Sequence, residues 1–136
     1  MHRIDKAHYS QLLREACRMD HATPGVEICG LLVNTGHHLT FVQTRNILRR
    51  PGGFALSPVD VRRIVAAAAI LGQEVVGTFH SHPAAPATPG KSDIEHAVDD
   101  SLMFVFDCIG EEGRLWKIKK GRVRPLRVDF LDKQTS

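Results

Sequence analysis

The 136 residues of this chain are about the usual length of one globular domain, so we expect a single domain over residues 1–136. Its hydrophobic share of 43% and charged share of 24% are ordinary for a folded protein and exclude a disordered or fibrous chain. The net charge is only +3, no apolar stretch is long enough to cross a membrane, and the first residues lack the apolar core of a signal peptide, so a cytoplasmic location without membrane attachment is expected.

The first half of the chain is predicted to form a helix and a β-hairpin. A helix is expected from about Lys6 to Met19, where apolar residues recur at helical spacing, and Pro24–Gly25 closes it. The apolar run Val26–Val33 and the alternating segment His38–Leu48 are typical of two paired strands, with a turn at Asn34–Gly36.

The next predicted helix has a well-marked beginning and end. Ser57 is expected to cap it and Pro58 to take its first position, and the helix runs to Leu71 and stops at Gly72. Glu74–His82 is predicted to follow as a strand.

A stiff, irregular loop is predicted after this strand, because Pro83, Pro86 and Pro89 interrupt it. A helix is expected to begin near Ser92. Three further strands are predicted at Leu102–Ile109, Arg114–Lys119 and Val123–Phe130. This succession of strands and helices predicts an α+β fold of mixed α/β character.

The three cysteines, Cys17, Cys29 and Cys108, are odd in number and far apart in the sequence. This spacing argues against a disulfide framework and against a Cys-x-x-Cys metal site, so we expect reduced thiols. Cys29 stands in an apolar run, where a thiol usually serves as a small buried side chain, and we assign it to the core.

His80 and His82 are candidates for binding a metal ion. Residues two apart on a strand point to the same face, so the two imidazoles are expected to converge. Two histidines and one carboxylate leave an open position on tetrahedral zinc, which a hydrolytic site needs for water or substrate. Asp93, at the start of the helix after the proline-rich loop, is the best candidate for the third ligand. The alternative is a pair of surface or hydrogen-bonded core histidines without a metal.

These residues and their spacing resemble the signature of the JAMM, or MPN-plus, metalloprotease family in its prokaryotic, single-domain form. His80-Ser81-His82-Pro83 is similar to the His-x-His-Pro element of the family, and Asp93 falls at the signature aspartate. Glu27, followed closely by Gly30-Leu31-Leu32, matches an early glutamate of the signature. As a joint pattern this resemblance is far more specific than a lone His-x-His.

The resemblance implies a fold and an activity. The implied fold is a central, mixed, mostly antiparallel, curved β-sheet flanked by helices, with a cytidine-deaminase-like architecture. The implied activity is that of a zinc metalloprotease in which His80, His82 and Asp93 hold Zn²⁺ and Glu27 assists attack of a zinc-bound water on an amide bond. Other zinc chemistries lack their motifs, because the chain has neither the Pro-Cys-x-x-Cys of base deaminases nor the His-Glu-x-x-His of thermolysin-like proteases.

Glu27 lies in a strongly apolar segment, where an acidic residue is seldom buried without a partner. A water on the metal is such a partner, because the carboxylate can take its proton and return it to the leaving amine. A structural salt bridge to a nearby arginine is the alternative.

Gly90 departs from the family pattern, because it stands where the signature has a serine. By resemblance that serine donates a hydrogen bond to the oxyanion formed during attack, and loss of one such donor commonly lowers turnover by about 10² to 10³. Ser92 or a backbone N–H could fill the role. For Ser92 we favour a helix cap, because Ser92-x-x-Glu95 has the spacing of a capping box. His96, one turn after Asp93, is expected to face solvent rather than to orient a ligand.

Prokaryotic members of the family suggest a ubiquitin-like or sulfur-carrier protein as the substrate, cut near its carboxy terminus at a peptide or isopeptide bond. The alternative function is a catalytically weak or inactive MPN-type scaffold that binds other proteins, which Gly90 would suit. Basic residues crowd the last part of the chain, but we interpret them as the solvated faces of two strands and expect no nucleic-acid partner. They are Arg114, Lys117, Lys119, Lys120, Arg122, Arg124 and Arg127.

Overall fold

The computed structural model describes residues 2–22, 26–48, 50 and 53–132. Three helices lie in this part of the chain: α1 (Lys6–Ala22), α2 (Pro58–Ile70) and α3 (Lys91–His96). The strands are β1 (His2–Asp5), β2 (Cys29–Asn34), β3 (Leu39–Thr44), β4 (Glu74–His82), β5 (Ser101–Asp107), β6 (Glu112–Lys119), β7 (Arg122–Leu126) and β8 (Val128–Leu131). None of these helices is long and apolar enough to span a membrane.

All eight strands join one sheet in the order β7-β6-β5-β4-β2-β3-β1-β8. The pairing is mixed: β4 with β5 and β1 with both β3 and β8 are parallel, and the other neighbours are antiparallel. β7 and β8 lie at opposite edges of the sheet although Arg127 alone connects them. The sheet must therefore curl until its two edges approach each other, which confirms the predicted curved, mixed sheet of an α+β fold.

The core lies on both faces of the sheet. Phe104 and Phe106 of β5 pack in one cluster with Leu12 and Ala16 of α1, and Met103 and Val105 pack in a second cluster with Trp116 and Ile118 of β6. Because β5 is covered on both faces, it reads as a continuous apolar run rather than as an alternating one. This central, doubly buried strand supports β4 beside it.

Several predicted elements are confirmed near the site. β4 has the predicted limits, and the hairpin of β2 and β3 pairs as expected around Asn34–Gly36. Ser57 caps α2, since its Oγ accepts a hydrogen bond from the N–H of Asp60 at 3.4 Å, and Pro58 is the first helical residue. The backbone after α2 turns through Gly72, whose φ of 68° favours glycine. Cys29 is fully buried, as predicted.

Other boundaries were wrong. The early apolar run becomes a strand only at Cys29, so Glu27 lies in an irregular segment just before β2, and β3 covers only Leu39–Thr44. α1 continues to Ala22, whereas Pro24 and Gly25, expected to close it, lie outside the described residues. The predicted strand Val123–Phe130 is divided into β7 and β8. β1 was not predicted, because His2–Asp5 has no periodic pattern of its own and is extended only by pairing with β3 and β8.

Candidate metal centre

β4 brings the two candidate histidines together at its carboxyl end. The Nε2 atoms of His80 and His82 lie 3.1 Å apart, and each also lies 3.1 Å from Oδ2 of Asp93. The three atoms therefore form an equilateral triangle. His80 is fully buried opposite Cys29 of β2 and Val105 of β5, so the strands on either side of β4 hold it in place.

Asp93 reaches the histidines from the first turn of α3. Gly90 is the residue that caps this helix, and its N–H donates a hydrogen bond to Oδ2 of Asp93 at 2.8 Å. Burial raises the pKa of Asp93, but the hydrogen bonds from His80 and His82 outweigh this effect and hold the pKa well below its usual range. The Asp93 carboxylate is therefore ionised throughout the neutral pH range.

The triangle has the size that a tetrahedral cation requires. Zinc binds imidazole nitrogen at about 2.0 Å, which places two ligand atoms of a tetrahedral site about 3.3 Å apart. The observed 3.1 Å sides are close to this value. Among the described residues, His80, His82 and Asp93 are the group of His, Cys, Asp or Glu side chains placed to hold a metal ion. One carboxylate and two imidazoles also suit the borderline-soft character of Zn²⁺, so the residues fit the metal.

The histidine rings are oriented by different contacts. Nδ1 of His82 donates to the carbonyl oxygen of Pro86 at 2.8 Å, which fixes the ring with Nε2 directed at the triangle. Nδ1 of His80 has no hydrogen-bond partner among the described residues, but Phe54 stacks on this ring with centroids 4.5 Å apart and an angle of 19°. Burial lowers the pKa of His80 although Asp93 opposes this, so the ring favours the neutral form that binds metals.

Glu27 lies beside the triangle on a buried segment. The neighbouring N–H of Ile28 donates to Oγ of Ser81 at 2.9 Å, and the N–H of Ser81 donates to the carbonyl of Ile28 at 3.1 Å. Glu27 is 7% exposed, and its Oε1 has no hydrogen-bond partner among the described residues. Burial raises its pKa to about 7, while the charge of His82 lowers it and that of Asp93 raises it.

No ion pair joins Glu27 to an arginine in the described part of the chain. The alternative of a structural salt bridge is therefore not supported, and Glu27 lines the same cavity as His82 and Asp93. A buried carboxyl group with a pKa near neutrality is suited to exchanging protons with a reacting group.

Ser92 is not the cap of α3. Gly90 takes that position, and Ser92 is the second residue of the helix, so the capping-box prediction was wrong. The error arose because glycine also serves as an N-cap and the sequence contains a serine two residues later. The Ser92 hydroxyl lies 3.4 Å from Nδ1 of His96, whose ring faces solvent as expected. Ser92 borders the same cavity as the triangle.

A groove of about 1390 Å³ begins at the triangle. Besides Glu27, His82 and Asp93, its walls include Leu31 and Thr78 from the sheet, Phe54 from the loop before α2, and Val98 after α3. An open groove of this size beside the candidate metal ligands can admit an extended segment of a polypeptide.

Sequence reasoning missed two residues that organise the site, Ser81 and Phe54. Ser81 could have been found, because a polar residue between two converging histidines must point to the opposite, buried face of the strand. Phe54 carries no such signal, since its stacking on His80 depends on the path of the preceding loop.

The chain is similar in sequence to a protein family and to a curated relative. Residues 6–119 match the family described as prokaryotic homologs of the JAB domain. A desampylase of Pyrococcus furiosus is 35% identical over 75 residues, which are 54% of this chain and 54% of that protein. The match thus spans about half the length of this curated relative.

Two solved structures share the fold. A protein of Desulfitobacterium hafniense, solved in solution, has a TM-score of 0.81 at 22% identity, with 99% of this chain and 96% of that chain covered. A JAB1/MPN domain protein of Archaeoglobus fulgidus has a TM-score of 0.53 at 18% identity, with 94% of this chain and 98% of that chain covered.

Proposed function

This chain belongs to the prokaryotic homologs of the JAB domain, and from this premise we propose that it is a zinc-dependent metallopeptidase or isopeptidase that hydrolyses an amide bond. The observation that carries the proposal is the 3.1 Å triangle of His80, His82 and Asp93 with the buried carboxyl group of Glu27 beside it. A structural metal site would be closed by a fourth protein ligand, whereas this triangle leaves one side facing the groove.

The residues have separate roles in the proposed reaction. His80, His82 and Asp93 would hold Zn²⁺, which when bound supplies Lewis acidity and lowers the pKa of water to about 7. Glu27 accepts a proton from a water in the groove and returns it to the leaving amine nitrogen. A pKa of about 7 suits both transfers, because the group is then neither a very weak base nor a very weak acid near neutral pH.

The proposed substrate is a ubiquitin-like or sulfur-carrier protein, cut near its carboxy terminus. The similarity to a desampylase supports a ubiquitin-like substrate, and the open groove supports an extended tail as the part that enters the site. Only Ala97–Asp100 connect α3 to β5. This connection is too short to form an insertion that recognises a particular linkage between two such proteins.

A catalytically weak or inactive scaffold is the second candidate, and Gly90 is the observation that favours it. The N–H of Gly90 is engaged by Asp93 and no hydroxyl stands at this position. Against it, a scaffold has no need for three ligand atoms at tetrahedral spacing, so this spacing supports the hydrolase.

Metal content and turnover should respond differently to two substitutions. We expect the purified protein to bind about one zinc per chain and His82→Ala to lose it, because two remaining ligands form an incomplete site. Glu27→Gln should keep the zinc but lower hydrolysis of a tailed ubiquitin-like protein by orders of magnitude, since the amide cannot accept the proton. The measurements are elemental analysis and a cleavage assay followed by mass spectrometry.

Each expected result has an outcome that would contradict it. A wild-type protein without zinc after purification in its presence would contradict the metal site. A zinc-loaded wild-type protein that cleaves no tailed substrate would favour the scaffold. If Glu27→Gln keeps full activity, the proposed proton acceptor is wrong, and if it loses zinc, Glu27 is a ligand.

A further inference from the structure

We propose that Asn46 is a positioning residue that holds Glu27 in place for proton transfer and ties it to the loop that stacks on His80. The inference rests on the proposed function for its kinetic consequence. Asn46 follows β3 and touches none of the three candidate ligands through a hydrogen bond, so it would act through Glu27 rather than on the substrate.

The side-chain amide of Asn46 makes three hydrogen bonds to backbone groups. Its Nδ2 donates to the carbonyl oxygen of Glu27 at 2.9 Å. Its Oδ1 accepts from the N–H of Leu48 at 3.0 Å and from the N–H of Ala55 at 3.1 Å. A backbone N–H can only donate and a carbonyl can only accept, so one orientation of the amide satisfies all three. Asparagine supplies the donor and the acceptor on one planar group, whereas an ionised aspartate of the same shape supplies only acceptors.

The hydrogen bond from Asn46 to Glu27 is needed because Glu27 lies before β2, outside that strand's ladder of backbone hydrogen bonds. Ser81 anchors the next residue, Ile28. The Oγ of Ser81 accepts from the N–H of Ile28, and the N–H of Ser81 donates to the carbonyl oxygen of Ile28. Asn46 anchors the carbonyl of Glu27 itself. Oε1 of Glu27 is buried and has no hydrogen-bond partner among the described residues, so these two backbone anchors help to set the direction in which the side chain leaves the backbone.

The other two bonds of Asn46 shape the loop before α2. Leu48 and Ala55 stand near the two ends of this loop, and the N–H of Ile47 also donates to the carbonyl of Ala55 at 2.9 Å. Phe54, next to Ala55, stacks on the buried ring of His80. One amide group thus connects the proposed base with the contact that orients a proposed ligand.

The test is Asn46→Asp, with Asn34→Asp as the matched control. Aspartate keeps the acceptor for Leu48 and Ala55 but cannot donate to Glu27, so the loop ties remain and the anchor is lost. Asn34 accepts from the N–H of Gly36 at 2.8 Å in the exposed hairpin turn, so the control makes the same change of charge without losing a donor that the site uses. We expect Asn46→Asp to lower kcat by at least about tenfold with little change in KM or zinc content, since misplacement by about 1 Å can cost 10²-fold.

A double-mutant cycle separates positioning from a general structural effect. If Asn46 acts through Glu27, Asn46→Asp should slow the wild-type protein but leave the residual single-turnover rate of Glu27→Gln unchanged. Equal slowing in both backgrounds, or a wild-type kcat in Asn46→Asp, would overturn the proposal.

A second readout needs neither activity nor metal. The carbonyl ¹³C resonance of Glu27 in the metal-free protein should move in Asn46→Asp and stay in place in Asn34→Asp, because it reports the hydrogen bond that Asn46 donates. An unmoved resonance would refute the anchor even if the proposed function holds. A moved resonance in a protein without hydrolytic activity would keep the anchor and reject the function.

Discussion

Gly90 is the residue where the chain departs from the signature that it otherwise resembles, and its backbone shows what a serine would do there. Its φ of −80° and ψ of 171° are open to any residue, so glycine is not required for conformation. Among the described residues, a Cβ at this position would meet Oδ2 of Asp93, at an ordinary distance of 3.5 Å. A side chain can therefore be restored without strain.

Gly90→Ser should raise turnover while leaving the zinc content unchanged. The added hydroxyl would lie near Oδ2 of Asp93 and would donate to the oxyanion of the proposed reaction. One such donor commonly raises the rate by about 10² or more. Steady-state kinetics on one cleavable substrate measures the change. Gly90→Ala, which adds the Cβ without the hydroxyl, is the matched control.

Ser92→Ala tests the other candidate donor in the same assay. Because Ser92 is exposed and does not cap α3, its loss should leave the melting temperature nearly unchanged. A fall in turnover would identify Ser92 as the donor that replaces the missing serine. If Gly90→Ser and Gly90→Ala are equally fast, side-chain stabilisation of the oxyanion does not limit this protein.

At the scale of elements, the pairing of β4 with β5 carries the candidate site. β4 supplies both histidines, and Gly77 lies in this strand opposite Leu102. A Cβ at Gly77 would collide with the carbonyl oxygen of Leu102, an atom of the backbone that cannot turn away. Glycine therefore allows the close approach of two parallel strands just before the candidate metal ligands.

Gly77→Ala should destabilise the fold by about 3 kcal/mol or more, because the clash can be relieved only by separating β4 from β5. Urea unfolding of the metal-free protein measures the loss. Gly90→Ala makes the same chemical change where space is free, and it should leave the free energy of unfolding within about 1 kcal/mol of wild type. Similar losses in the two variants would show that the strand contact is not the cause.

At the scale of the whole molecule, burial of Glu27 couples folding to pH. Burial raises the pKa of the Glu27 carboxyl group from its ordinary value of 4.5 to about 7 in the folded state. The folded state therefore binds this proton more tightly than the unfolded state. Its contribution to stability is complete below pH 4.5 and is lost as the pH rises through about 7. The burial of Glu27 thus opposes folding at alkaline pH whenever no cation is bound nearby.

Glu27→Gln should make the metal-free protein more stable at pH 8 but not at pH 5. The expected difference between the two pH values is about 3 kcal/mol, because each unit of pKa shift corresponds to about 1.36 kcal/mol. Urea unfolding in the presence of a chelator measures it. Asp93 is ionised and His80 and His82 are present in both proteins, so their own contributions largely cancel in the comparison. An equal effect of the substitution at both pH values would contradict the raised pKa.

Local spacing alone determined the parts of this protein that depend on a few neighbouring residues. The Ser57-Pro58 start of α2, the limits of β4 and the convergence of His80 and His82 all follow from strand and helix periodicity, so they were predictable. The family resemblance, with Glu27 and Asp93 in register, also came from spacing along the chain. These features need no knowledge of what packs against them.

Tertiary structure decided what depends on contacts between distant residues. Val123–Phe130 reads as one strand, but the closing of the curved sheet divides it at Arg127 and sends its halves to opposite edges. His2–Asp5 is extended only because β3 and β8 supply hydrogen-bond partners. The anchoring of Glu27 by Asn46 and the stacking of Phe54 on His80 likewise require a loop path that no local pattern encodes. A strand edge, the backbone carbonyl of a residue outside the strands and an aromatic ring obtain these contacts only when distant parts of the chain come together.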